Sequence, residues 1–227
     1  MDGRCDPARI AAVVAEMNPD VVCLQELDVE RARTEWLDQA AEIARMLTMD
    51  FHFNATIDEA SGRYGDAILS KLPFKVVAAG SLPPVRRPFP REDRGAIWVE
   101  ALEGGRAWQI INTHFGLGHS ERRSQARTLV AEWIKPALRQ PPVVLCGDFN
   151  SRPSSAVHKI IGESLDDVFS PPRTNHPRTF STRWPLVCLD YLFVSSGIRV
   201  LRAAAWKSPH SMVASDHFPV VAEIAAP

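Results

Sequence analysis

Two runs in this chain, "DVVCLQE" (residues 20–26) and "PVVLCGD" (residues 142–148), are apolar and rich in β-branched residues, with no polar alternation. A strand with one wet face alternates; one that does not must be covered on both faces. A chain with two such runs needs sheets packed in layers, with helices or a second sheet over each face. Both runs end on acids, Glu26 and Asp148, and the second continues to Asn150 in "GDFNSRPSS".

The remaining pattern supplies the layers. Asp6 before Pro7 reads as an N-cap and first turn, with Ile10, Val13, Val14 and Met17 at helical spacing up to Asn18-Pro19. A second helix is predicted over residues 34–47. Strand-length pieces follow: "FHFNATI", "YGDAILS", "FKVVAAG", "GAIWVEAL" and "AWQIINTH", the last two joined by Glu103-Gly104-Gly105. Residues 119–135 read as helix, with a short helix after Pro153, and the chain closes with "CLDYLFVS", "IRVLRAAAW" and "SDHFPVVAEI". The pieces 81–94 and 170–186 read as surface loops. No internal repeat is present, and residues 1–227 are expected to form a single domain.

Composition narrows the function classes. With 45% hydrophobic residues the chain can bury a core, and 26 Lys plus Arg against 27 Asp plus Glu leave a formal charge of -1. That balance provides no net basic field for long nucleic acid. Apolar runs fall well short of the roughly 18 residues that would suggest a membrane span, and "MDGRCDPARI" is charged where a secretory leader would be apolar. A cytoplasmic chain is expected. Cys5, Cys23, Cys146 and Cys188 show no C-x-x-C spacing and read as free thiols.

Polar residues recur at strand ends: Glu26, His114 in "INTHF", Asp148 with Asn150, Asp190 in "CLDYLF", and Asp216 with His217 in "SDHFPV". Singly, each is a loop residue or a cap. Together, hard oxygen donors such as Glu26, Asp148 and Asp216 suit Mg²⁺ or Mn²⁺, whereas zinc would call for more His or Cys. By contrast His52, His119, His158, His176 and His210 show no matched partner and read as surface or satisfied histidines. Trp184 reads as a packing plug or the lip of a substrate mouth. Arg86, Arg87 and Arg91 read as a solvated charge run, and Arg94, just before a strand, as the arginine of interest.

"NPDVVCLQELD", "NTHF", "GDFNSRP", "LDYLFVS" and "SDHFPVVAEI", in that order over residues 6–224, resemble the endonuclease/exonuclease/phosphatase superfamily. The resemblance implies a DNase I-like α/β fold, a four-layer sandwich of two packed mixed β-sheets flanked by helices. It implies Mg²⁺- or Mn²⁺-dependent hydrolysis of a phosphoester. In that reading Glu26 and Asp216 hold the metal, Asp148 activates the water, Asn150 holds a phosphate oxygen, His217 held by Asp190 donates to the phosphoryl group, and His114 assists the phosphate or leaving group. The first reading is a phosphodiesterase on a small or lipid-linked substrate. A nuclease, including an abasic-site enzyme, comes second, and a catalytically impaired binding module third.

Two departures stand out. Family members usually have "YGNAILS"; here Asp66 replaces the amide, which leads to the expectation that it pairs with His114 or adds charge near the metal. The family also opens with a "TYNI"-type strand whose asparagine serves the site, and nothing before Asp6 supplies it. The N-terminal strand is therefore expected to be missing, leaving an open sheet edge through which copies could associate.

Overall fold

The computed structural model describes residues 6–83, 92–170 and 175–226. Cys5, Arg86, Arg87 and Arg91 lie outside the described residues. Helix α1 (Pro7–Met17) starts at Asp6, whose carboxylate accepts the Ala8 N–H at 2.9 Å, and stops at Asn18 in a left-handed conformation. Strand β1 (Val21–Val29) follows. The second helix is shorter than the sequence suggests. A single 3₁₀ turn (Ala32–Thr34) is broken by Glu35 and Trp36, both at positive φ, and α2 (Gln39–Leu47) begins only where Asp38 caps the Ala41 N–H.

Strands β2 (Asp50–Glu59), β3 (Gly62–Ser70), β4 (Phe74–Ser81), β5 (Gly95–Glu103) and β6 (Arg106–His114) fall where the sequence places them. Helix α3 (His119–Thr128) runs through a π turn (Leu129–Ile134) into α4 (Lys135–Ala137). Then come β7 (Val143–Asp148), α5 (Ala156–Gly162), the two-residue β8 (Asp166–Asp167), β9 (Asp190–Val194), β10 (Arg199–Ala205), α6 (Ser211–Ala214) and β11 (Val220–Ala225).

The strands form a six-stranded mixed sheet in the order β4-β5-β6-β7-β9-β8, facing a second layer made of β1-β3-β2 and a separate β10-β11 pair. Between the layers lie Ile68, Ile97, Val99, Ile110, Val144 and Val194. Outside the large sheet, α3, α4 and α5 cover Ile111, Leu145, Phe149 and Phe193; outside the small one, α1 and α2 cover Val22, Ala67 and Leu69. Helix, sheet, sheet, helix is the four-layer sandwich that the non-alternating runs require.

The second layer is split. Among the described residues the only strand that β1 pairs with is β3, apart from a single bridge of Val29 to Asp38, and the only one that β11 pairs with is β10. A groove of about 640 Å³ lies there, lined among others by Val22, Leu24, Trp206, Val221 and Ile224. Unpaired strand edges offer backbone N–H and C=O groups to another strand.

Candidate phosphoester site

The parallel pairing of β6 with β7 sets His114 opposite Asp148, and the antiparallel pairing of β7 with β9 sets Asp148 opposite Asp190. Three neighbouring strands thus deliver three polar side chains at one level. The register depends on Gly147, where a Cβ would sit 1.9 Å from the Thr113 carbonyl oxygen. Only glycine permits that approach. The next residue, Phe149, is 1% exposed and packs edge-on against Phe115, Tyr191 and Phe193 at 5.1–5.6 Å. Burying that ring contributes about 2–3 kcal/mol and anchors the chain between Asp148 and Asn150. Asn150, at φ 46°, gives its backbone N–H to Asp148 Oδ1 (2.7 Å) and its side-chain amide to the Phe115 carbonyl (2.9 Å).

Glu26 is aimed differently. The register of β1 with β3 slips between Leu24 and Leu27, and Glu26 takes φ 61° at that bulge. A bulge turns one side chain out of the pleat, and a non-glycine residue at positive φ persists only where its surroundings hold it. The holders are the Asp66 carboxylate, which accepts the Glu26 N–H, and Asn112, which is fully buried and fixes the residues just before Glu26. Asn112 gives its amide to the Leu24 and Ala67 carbonyls (2.9 Å each) and accepts from Gln25 Nε2 (2.7 Å). Sequence reading missed Asn112, although its place two residues before His114 puts both on one face of β6. Asn112→Ala removes three hydrogen bonds that tie the two sheets together and is expected to cost about 3 kcal/mol in chemical denaturation. A cost below about 0.5 kcal/mol would contradict this role.

His114 is the hub of this end. Arg94 Nη1 lies 3.0 Å from its Nδ1. Arginine only donates, so the ring proton sits on Nε2. That N–H is flanked by Glu26 Oε1 and Asp148 Oδ2, each 3.7 Å away. Burial, then the charges of Arg94 and His217, hold its pKa well below the ordinary value, so His114 is a neutral donor. Its contact with Asn150 Nδ2 at 3.3 Å sets two N–H groups together and forms no bond in this tautomer. Asp66 does not pair with it: Asp66 Oδ1 is 4.0 Å from Nδ1, and Arg94 has taken that nitrogen. Burial pushes the Asp66 carboxyl up to about 7, with Arg94 and the Glu26 N–H pulling against it.

Across β7, His217 Nδ1 is 2.9 Å from Asp190 Oδ2, and the Phe180 ring packs on the imidazole at 4.8 Å. Ligand atoms of Asp148, Asp190 and His217 all lie within 4.8 Å of one another. Burial, then the Asp190 carboxylate, push Asp148 up to about 7 against the pull of His217. For His217 burial works downward, but the Asp190 hydrogen bond and charge, with Asp148 and Asp216, raise it to about 9. The folded value lies above the ordinary imidazole value of 6.5, so the stability this pair contributes is full below 6.5 and is lost as the pH rises through 9. In the metal-free chain, NMR titration of His217 is expected to give a pKa near 9, falling toward 6.5 in Asp190→Asn. An unchanged value in that variant would refute the pairing.

The structure therefore gathers Glu26, His114, Asp148, Asn150, Asp190 and His217. Asp216 precedes His217, and its backbone oxygen takes the Thr182 N–H, but its carboxylate is outside the close group. Carboxylates outnumber cations here, and two of them are pushed toward neutrality by burial. That oxygen-rich, charge-poor donor set suits a divalent cation of the Mg²⁺ or Mn²⁺ kind.

The sequence pattern of the Endonuclease/Exonuclease/phosphatase family matches residues 2–217. The chain belongs to that family. It is 28% identical over 231 residues to the uncharacterized protein YbhP of Escherichia coli K12, covering 93% of this chain and 85% of YbhP. Its fold is similar to that of a Bacteroides thetaiotaomicron mannosyl-6-phosphatase (TM-score 0.73, 20% identity, 96% of this chain and 90% of that one). It is also similar to ANGEL2, a 2',3'-cyclic phosphatase captured with adenosine-2',3'-vanadate (TM-score 0.70, 17% identity, 96% and 85%). As an Endonuclease/Exonuclease/phosphatase member with this fold, the chain is a phosphoester hydrolase.

Proposed function

We propose that this family member is a Mg²⁺- or Mn²⁺-dependent phosphodiesterase acting on a small or lipid-linked substrate, through one domain spanning residues 1–227. The observation that carries the reading is the His114, Asp148, Asp190 row with His217 held beside it. It places a buried carboxylate poised near neutrality next to an imidazole that is protonated at working pH. Asp148 orients a water and takes its proton as the oxygen closes on phosphorus. The His217 imidazolium, fixed by Asp190, donates to the phosphoryl oxygens as their charge builds. One Asn150 N–H is bound to Phe115, leaving the other to hold a phosphate oxygen. His114, as a neutral Nε2–H donor, assists the phosphate or the leaving group. Glu26 and Asp216, the latter from beside His217, would hold the metal. When bound, the cation spreads the negative charge of the transition state.

The substrate class rests on the rim. Leu117, three residues beyond His114, and Trp184 and Leu186, on the turn that follows Phe180, are each about 70% exposed. Trp184 is thus not a packing plug. Exposed apolar groups beside a phosphate site favour a substrate with an apolar part, and the balanced charge argues against a long nucleic acid. Among the described residues no helix is long and apolar enough to cross a membrane. We place the chain in the cytoplasm, with self-association through the free edges of β1 and β11.

The test is a side-by-side assay of nucleotide and lipid phosphodiesters, inositol phosphates, sugar phosphates, plain DNA and abasic DNA at fixed salt. The expected result is hydrolysis of an apolar diester with little salt dependence. Preference for DNA with a steep loss at rising salt would instead identify a nuclease.

A further inference from the structure

Away from the phosphoester site, α5, β8 and the segment after residue 174 bring together Asp167 and two histidines that sequence reading left without partners, His158 and His176. Nε2 of His158 and Nε2 of His176 each lie 2.7 Å from the same oxygen, Oδ2 of Asp167. The other carboxylate oxygen accepts the Phe169 N–H at 2.8 Å. The Asp167 side chain is buried, and the two imidazoles are largely so. The imidazole rings stand nearly perpendicular, 5.4 Å apart, inside a wall of Phe169, Tyr191 and Phe193. None of the three belongs to the Asp148, Asp190, His217 group.

We propose that His158, Asp167 and His176 form a second cation site, a three-ligand seat for a borderline divalent cation of the Zn²⁺ class. The donor set makes the assignment: two imidazole nitrogens and one carboxylate oxygen suit Zn²⁺, whereas the oxygen-rich phosphoester site suits Mg²⁺ or Mn²⁺. Tetrahedral ligation at about 2.0–2.1 Å would open each N···O separation from 2.7 Å to about 3.3 Å, a shift that side-chain torsions supply. Each imidazole would then carry its proton on Nδ1 and give the Nε2 lone pair to the cation. Asp167 is ready for this role. Burial works against its charge, but the His158 bond, the Phe169 N–H and the His176 bond prevail and hold its carboxyl below the usual value. An aromatic wall around polar ligands also keeps the local dielectric low.

The cation would fasten the segment around His176 to α5 and β8. Four residues farther on, Phe180 bridges to His217 and packs on its ring. The second site would therefore steady one wall of the first without touching the reacting groups.

The test uses the full chain stripped of metal and titrated with Zn²⁺ alone. A Glu26→Gln/Asp148→Asn double variant, crippled at the phosphoester site, is expected to keep one Zn²⁺ per chain. Adding His176→Gln is expected to weaken that binding about 100-fold or more. In the parent chain, ¹⁵N NMR is expected to show Nε2 of both His158 and His176 changing from protonated to metal-bound, a readout that needs no variant. Retained Nε2–H protons in the presence of Zn²⁺, with equal Zn²⁺ stoichiometry with and without His176, would overturn the proposal and leave a hydrogen-bonded clamp. Neither outcome bears on hydrolysis at Asp148.

Discussion

Asp148→Asn is expected to remove turnover by on the order of 10³-fold while leaving the fold in place. Asparagine has the same shape and keeps an oxygen to accept the Asn150 N–H, so the turn after β7 survives. What disappears is the group that accepts the water's proton. The substitution also removes one of the charges that raise the His217 pKa, so the imidazolium on the opposite side persists only up to a lower pH than in the parent. Circular dichroism and the melting transition should match the parent while kcat collapses. Turnover within threefold of the parent would refute the assignment of Asp148 as base.

Glu26→Gln is expected to raise the Mg²⁺ or Mn²⁺ concentration needed for half-maximal activity by about 10- to 100-fold. The Glu26 side chain is 61% exposed, and its backbone is held by the bond of its N–H to Asp66 and by the Asn112 bond to nearby Leu24 rather than by its own carboxylate, so stability should change by less than about 0.5 kcal/mol. The separation of effects is the diagnostic: a structural role would move the melting transition, whereas a metal ligand moves the metal dependence. An unchanged half-saturating concentration would exclude Glu26 from the metal shell.

Local pattern carried much of the architecture. The non-alternating runs at 21–24 and 143–146 required covered strands, and both lie between layers. The Asp6-Pro7 cap, the strands from "FHFNATI" to "AWQIINTH" and the helix after Pro153 are each settled within a few residues, and they stand where the sequence put them. The helix over 34–47 failed because Glu35 and Trp36 adopt left-handed backbones that no periodicity announces, and because Asp38 is the stronger cap. Helix α6 was missed because four residues held by Ser208 and Ser211 have no period.

What escaped was set by packing across elements. Asn112 reaches carbonyls on β1 and β3 from the facing sheet, 88 and 45 residues away in the chain. The Arg94 to His114 bond decides a tautomer over a separation of 20 residues. His158 and His176 looked unmatched because each lies nine residues from Asp167, on a different element, and only the layering of α5 over β9 closes the distance. His210 likewise finds Glu16 at the far end of the chain. Residue types at strand ends hint at a site, but its hydrogen-bond order exists only once the sheets have packed.

The most direct measurement of the catalytic account is hydrolysis of bis(p-nitrophenyl) phosphate in ¹⁸O-labelled water by the chain stripped of divalent cations and then titrated with Mg²⁺ or Mn²⁺. The predicted result is no turnover above background in the stripped protein, recovery on adding the cation, and one labelled oxygen in the phosphate product. Undiminished hydrolysis in the presence of a chelator, or label appearing in the nitrophenol, would contradict attack on phosphorus by a water held at Asp148 beside a metal.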